Sequence, residues 1–246
     1  MKTDYSLKAE LYDTYRWHYP EAAIRFACES VNDYKKARIA EYGAGTGILT
    51  KDISPYFEQV YAVEPDDNMA DILKGKKIKN VDIIRKYSHQ TSEIISNSIS
   101  AIFSAHALHW FDYDKTIREF DRIIDKNRIL ITFSNSETGS DEFTKYTNDI
   151  IKKYTNDTVI AKHKTDSIDK YYSGYHDYYF YFNQTQRFEE YVNGLSSTSF
   201  LPDSSLPSIY NEFKKELQKV FDDYTKNGIR ISQCTCTLRI GKLASA

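Results

Sequence analysis

Glycine is scarce in this chain, 9 in 246 residues, yet three of the nine stand at Gly43, Gly45 and Gly47. They follow the short strand candidate 38–42 and open a segment patterned as a helix. A glycine turn between a strand and a helix lets the backbone approach a ligand with no Cβ in the way. The helix start adds N–H donors and positive potential. The spacing is GxGxG, one residue tighter than the GxGxxG of dinucleotide folds. Glu41 precedes the first glycine by two residues, and Glu64 closes the next apolar run. An acid in that second place can accept both hydroxyls of a ribose.

The pattern around this turn is regular. Strands are expected at 38–42, 59–64, 81–85, 99–104 and 128–133, and helices at 47–56, 66–74 and 112–124, the last capped by Asp112. Five strands alternating with helices predict an α/β fold: a doubly wound, Rossmann-like sheet, mostly parallel, with helices on both faces. Residues 5–30 read as helical, broken at Pro20. After Ser134 the rhythm stops. Residues 138–176 are polar and tyrosine-rich, with a helix near 143–154, and read as an insertion over one end of the sheet. Strands at 178–188 and 229–240 flank a helix at 208–224 whose Ile209, Phe213, Leu217, Val220, Phe221 and Tyr224 share a face. That ending predicts one antiparallel strand near the C-terminal edge.

Composition excludes several classes. The formal charge is −2, so nothing draws the whole chain to nucleic acid or an acidic membrane. No stretch approaches the roughly 18 apolar residues of a membrane span, and the N-terminal segment lacks the apolar run of a secretory signal. Three cysteines, Cys28, Cys234 and Cys236, are too few and odd in number for a disulfide framework and fit a reducing cytoplasm. No metal is expected: Cys234 and Cys236 share a strand face with no further ligand nearby. The basic run 74–79 reads as a solvated loop.

Three segments, IAEYGAGTGILT (39–50), VYAVEPDDNM (60–69) and FSAHALHWFD (103–112), resemble the class I S-adenosylmethionine-dependent methyltransferases. Within them the resemblance is to the small-molecule, trans-aconitate methyltransferase-like subfamily (methyltransferase type 11), and YDTYRWHYP (12–20) and the late LSSTSFLPD (195–203) and TCTLRIGKL (235–243) extend it over nearly the whole chain. The resemblance implies a single domain over 1–246. Its parts are an N-terminal helical cap (1–32), a cofactor-binding core (33–134), a lid (138–176) and a C-terminal strand-helix-strand (177–246). It also implies residue roles. Gly43, Gly45 and Gly47 line the methionine moiety of S-adenosyl-L-methionine, with Glu41 near its ammonium. Glu64, followed by Pro65, holds the ribose, and Met69 packs on the adenine. Ser88 and His89 take the adenine edge, and Ala105 and His106 stand beside the sulfonium. Tyr12 and Tyr15 are candidates to close over the cofactor, and Arg16 is a candidate to pair with a carboxylate of the donor or acceptor. The segment KYSHQ (86–90) lacks the acid that the family often places there, and the usual Pro-Gly-Gly turn is replaced by Asp125-Lys126-Asn127, where Asn127 tolerates left-handed geometry.

Methyl transfer from a sulfonium needs alignment and exclusion of water more than acid–base chemistry. A base is needed only where the acceptor is protonated at neutral pH, and a carboxylate is not. His106 or His109 is the candidate base, or the donor of a hydrogen bond to the acceptor. The expected reaction is methyl transfer to a small molecule, a carboxylate among the candidates, by a cytoplasmic monomer or homodimer. Two alternatives stay open: a nicotinamide-dependent oxidoreductase, and a non-catalytic protein that binds S-adenosylmethionine. The acceptor is expected between residues 12–16, the AHALHWF turn and the 138–176 insertion. The tyrosines at 171–179 either line that pocket or form the underside of the lid.

Overall fold

A computed structural model describes residues 8–155, 167–198 and 200–246. Leu7 of the expected first helix, residues 156–166 of the expected insertion and Ser199 lie outside the described residues. The chain divides into two compact units. A core unit takes His18–Asn135, Thr165–Phe180 and Cys236–Ala246; a helical unit takes Met1–Trp17, Ser136–Lys164 and Tyr181–Thr235. The division cuts through the expected N-terminal cap: α1 (Ala9–Tyr15) counts with the helical unit and α2 (Glu21–Glu29) with the core unit.

The core unit alternates as the periodicity requires. β1 (Arg38–Tyr42), α3 (Ile48–Ile53), β2 (Gln59–Val63), α4 (Asp67–Gly75), β3 (Val81–Ile84), β4 (Ile99–Ala105), α5 (Tyr113–Ile123) and β5 (Ile124–Glu137) follow in turn. β1 pairs in parallel with β2 and β4, β2 with β3, and β4 with β5. The fold is α/β with a seven-stranded sheet in the order β3-β2-β1-β4-β5-β7-β6, where β6 is Tyr172–Arg187 and β7 is Ile229–Leu243. β7 runs antiparallel: Thr138 donates to the Gln233 carbonyl while Arg128, ten residues earlier, donates to the Leu243 carbonyl, ten residues later. Asp112 caps α5 by accepting from Lys115 N–H. On its buried face Ile117, Phe120 and Ile123 meet Tyr42, Ile102, Leu130 and Tyr171 in one apolar cluster.

Several boundaries differ from the sequence reading. α3 is shorter than expected because Pro55 turns its end into a tight 3-10 turn, Ser54–Tyr56. β5 begins at Ile124, so the segment 125–127 lies within a strand interrupted by a register shift. The left-handed residue there is Arg128, φ 55°, and not Asn127, whose N–H and amide both bind the Asp125 carboxylate. β6 begins six residues earlier than expected. Tyr171 and Tyr172 are buried, whereas Tyr175, Tyr178 and Tyr179 are exposed.

In the helical unit, α6 (Glu142–Tyr154), α7 (Phe188–Ser196) and α8 (Pro207–Tyr224) pack Phe143, Phe188, Tyr191, Phe213, Leu217 and Phe221 together. α7 is absent from the sequence reading, which continues the preceding strand through Phe188. The ends of the α8 face are exposed at Ile209 and Tyr224; only its middle is core. No helix among the described residues is long and apolar enough to cross a membrane.

Candidate cofactor site at the carboxyl edge of the core sheet

The site starts from backbone geometry. Gly43, Gly45 and Gly47 have φ of 73°, 57° and 83°, the left-handed region that glycine enters without a steric penalty. Gly43 and Ala44 donate to the Val63 carbonyl, which ties the turn to the end of β2. A Cβ on Gly43 would stand 2.3 Å from the Cβ of Ala107, and one on Gly47 would stand 2.2 Å from Leu73 Cδ1. The turn after β4 and helix α4 therefore press directly on the glycine turn, and only glycine fits between.

Glu64 is fixed from both sides. One carboxylate oxygen accepts the Gly45 N–H at 2.8 Å, and the other accepts the Asp66 N–H at 2.9 Å. Each oxygen keeps a further lone pair, so the carboxylate can still accept two hydroxyls. Burial pushes the Glu64 carboxyl up, and the two N–H donors act against that. Pro65 sets the extended link to Asp66. Asp66 then caps α4 by accepting from Asn68 and Met69 N–H, both at 3.0 Å. Met69 is buried at the start of that helix.

Glu41, 1% exposed, has one carboxylate oxygen with no hydrogen-bond partner among the described residues. The hydroxyl of Thr46, wholly buried, has none either, while the Thr50 hydroxyl, also buried, faces Glu41 and favours its ionised form. Burial raises the Glu41 carboxyl to about 8. Three left-handed glycines, a braced acid at the end of β2 and a buried acid with one unpartnered oxygen near the end of β1 fit an aminoacyl nucleoside: diol to Glu64, amine toward Glu41.

Residues 40–132 match the family model of a methyltransferase domain. A methyltransferase of Schizosaccharomyces pombe, uncharacterized, is 27% identical over 143 residues, 58% of this chain and 56% of that protein. A Saccharomyces cerevisiae protein, named a candidate S-adenosylmethionine-dependent methyltransferase, is 24% identical over 131 residues, 50% of this chain and 45% of its own. The structure of a candidate type II methyltransferase from Anaeromyxobacter dehalogenans superposes with a TM-score of 0.68 at 16% identity, over 95% of this chain and 100% of that one, a likeness of fold. Over residues 40–132 the chain is thus similar to methyltransferase domains, and its fold is that of solved methyltransferases. The matches span about half the length of these curated relatives.

The core unit brings most of the sequence-predicted residues to one edge. Ser88 is buried after β3, but its hydroxyl pairs with Thr116 Oγ1 at 2.7 Å and so is held by α5. His89 Nδ1 is buried with no hydrogen-bond partner among the described residues, and its ring lies parallel to Tyr87 with centroids 6.1 Å apart. Ala105 ends β4. His106 takes a left-handed φ of 50°, and its Nε2 accepts the Asn135 N–H at 2.8 Å. While that bond lasts, Nε2 cannot take up a proton and the ring proton resides on Nδ1. His109 lies in the short turn Leu108–Trp110, its ring 5.3 Å from that of Trp110.

Tyr12 and Arg16 lie in the helical unit, where the Arg16 guanidinium sits 5.3 Å over the Tyr12 ring. The described residues of the expected lid also divide: 138–155 fall in the helical unit and 167–176 in the core unit. Two residues of the site escape sequence reasoning. Asn135, whose N–H fixes the His106 ring, carries no motif. Asp66 acts as the cap of α4, a role that an acid three residues before an apolar Met69 signals.

Proposed function

We propose that the chain transfers a methyl group from S-adenosyl-L-methionine to a small molecule whose accepting atom is already ionised, a carboxylate. The observation that carries the reading is the braced Glu64 carboxylate facing three left-handed glycines at 2.8 Å from Gly45 N. His106 supports this acceptor class. Its Nε2 is engaged by Asn135, so the ring at the end of β4 acts as a hydrogen-bond donor and does not remove a proton. A carboxylate needs no base, since its pKa near 4 leaves it ionised at neutral pH.

The cofactor, when bound, supplies an electrophilic methyl group on a positively charged sulfur. The chain's residues do the rest. Glu64 accepts the ribose hydroxyls and sets the depth of the nucleoside. The glycine turn lets the backbone stand close to the amino-acid part. Ser88 and His89 border the adenine, Met69 packs on it, and Ala105 with His106 borders the sulfur. Alignment of this kind supplies a large share of such a rate enhancement, because the leaving group is neutral and needs no acid. The protein is read as cytoplasmic, in keeping with three buried free cysteines.

Calorimetry decides between cofactors. S-adenosylmethionine and S-adenosylhomocysteine bind, and NAD does not; at 100 times the dissociation constant either one stabilises the fold by about 2.7 kcal/mol. Absence of binding by both removes the reading. Incubation with metabolite carboxylates then separates an enzyme from a binder, because only an enzyme accumulates S-adenosylhomocysteine.

A further inference from the structure

We propose that Glu41 is the charge-selecting group of the cofactor site: it is neutral in the free protein and loses its proton to solvent when a cationic amine enters the glycine turn. The proposal rests on the methyltransferase reading of the site and goes beyond it by giving binding a proton stoichiometry.

The geometry carries it. Glu41 ends the central strand β1, between β2 and β4, with 1% of its surface exposed. One of its oxygens has no hydrogen-bond partner among the described residues. An ionised carboxylate in that setting bears the full cost of lost hydration, which protonation removes. The groups facing it do not reverse this. Asp52 from α3 and Glu64 from the end of β2 repel a second negative charge; the Thr50 hydroxyl from α3 and Lys76 beyond α4 act the other way. Burial dominates, and the carboxyl stands near 8.

A ligand ammonium changes the balance, since an opposite charge within about 4–6 Å favours the ionised form. The protonated acid and the ammonium become an ion pair, and one proton passes to the buffer. Linkage then gives the sign. In the pH range where the free protein holds the proton and the complex does not, affinity rises with pH, about tenfold per unit. It levels off above the free carboxyl's value. The ligand's own amine, an α-amino group, loses its proton near about 7.7–8.0, so the clean window is about pH 6 to 7.

The test uses S-adenosylhomocysteine and the whole chain. Titration calorimetry in two buffers of different ionisation enthalpy counts the protons released. Close to one proton per ligand is expected in the window between about pH 6 and 7, with affinity rising about tenfold across it. Glu41→Gln keeps the shape of the protonated acid; it binds more weakly, releases no proton and has a flat profile. 5′-Methylthioadenosine, the same nucleoside without the amine, releases no proton from the wild type. Binding of S-adenosylhomocysteine without proton release overturns the proposal and leaves the cofactor reading intact. So does equal release with 5′-methylthioadenosine, or a pH slope that survives Glu41→Gln. Failure of both nucleosides to bind overturns the cofactor reading and this proposal with it.

Discussion

The carboxyl edge of the core sheet and the helical unit hold their polar groups by different means. At the carboxyl edge of the core unit the partner is backbone: Glu64 accepts from Gly45 and Asp66, Asp66 accepts from Asn68 and Met69, and His106 accepts from Asn135. In the helical unit the partner is an opposite charge. Lys8 pairs with Asp203 at 3.1 Å, Arg230 with Asp141 at 2.7 Å and Glu137 at 3.0 Å, Lys153 with Glu216 at 2.6 Å, and Lys214 with Glu189 at 2.8 Å. A carboxylate held by one N–H per oxygen is positioned yet keeps lone pairs for a ligand. A carboxylate held by a guanidinium or ammonium is neutralised within the protein. The proposed ligand contacts therefore gather on the first kind of scaffold, and the second kind serves cohesion.

The largest expected effect breaks the backbone scaffold itself. Gly43→Ala puts a Cβ 2.3 Å from the Cβ of Ala107, a methyl group with nowhere to swing. It also asks an L-residue to hold φ 73°. The left-handed conformation costs about 1–2 kcal/mol, and the overlap adds a further ~1–3 kcal/mol. At about 2–4 °C per kcal/mol for a chain of this size, the melting temperature falls by roughly 4–20 °C. Thermal unfolding that matches the wild type would mean that the glycine turn and the β4 turn do not press together.

Next comes Glu64→Ala, which keeps the strand and removes the acceptor. Charge-assisted hydrogen bonds of this kind contribute about 1.5–3 kcal/mol, so affinity for S-adenosylhomocysteine falls roughly 10- to 150-fold by calorimetry. Glu64→Gln should fall between, because its amide can accept from Gly45 or Asp66 but not both. Unchanged affinity for Glu64→Ala ends the ribose assignment.

The same contrast explains what was legible in the sequence. The core unit repeats one local rule, strand then turn then helix, so its elements follow from periodicity and its site from glycine spacing. Asp112 is visible as a cap for the same local reason. The helical unit is assembled from pieces far apart in sequence. Lys8 donates to the carbonyls of Thr198 and Leu201, and Arg230 reaches back to Glu137 and Asp141. No local pattern announces such pairs. α7 was missed because Phe188, Tyr191 and Val192 follow an alternating strand without a glycine or proline to mark the change. The sequence leaves His106 open as base or hydrogen-bond donor because only the fold brings the Asn135 N–H to its ring.

A smaller effect probes the charge-held scaffold. Arg230 is largely buried, sits 4.3 Å over the Phe143 ring and joins Asp141 to Glu137. Arg230→Met keeps the packing and leaves two carboxylates without their partner. Asp141 is half exposed, so solvent screens much of the loss, and about 2 kcal/mol of destabilisation is expected. Burial would raise the Asp141 carboxyl, but Arg230 and Thr144 outweigh it and hold it at about 2. A depressed carboxyl stabilises the fold fully above its unfolded value of about 3.9 and loses that contribution as pH falls toward 2. The wild type should therefore lose stability between those limits in urea titrations, and Arg230→Met should lose less. Binding of S-adenosylhomocysteine should stay as in the wild type. A variant that weakens binding as much as Glu64→Ala would erase the distinction between the two scaffolds.

The smallest effect sharpens the comparison at two residues of the helical unit. Tyr12 and Arg16 belong to the helical unit, and they are the two proposed cofactor residues outside the core unit. Their pairing follows the pattern of that unit: the Arg16 cation lies over the Tyr12 ring, and the Arg16 N–H closes α1 on the Tyr12 carbonyl at 3.0 Å. A cation–π contact at an exposed position contributes about 0.5–1 kcal/mol. Arg16→Ala should thus lower stability by no more than that and leave the fold intact. If Arg16 also meets the carboxylate of the cofactor, affinity for S-adenosylhomocysteine falls by several-fold while affinity for 5′-methylthioadenosine, which lacks the carboxylate, is unchanged. Equal loss for both ligands would mean that Arg16 acts through the fold. No loss for either would confine the cofactor contacts to the backbone-held scaffold, with Arg16 serving only its ring partner.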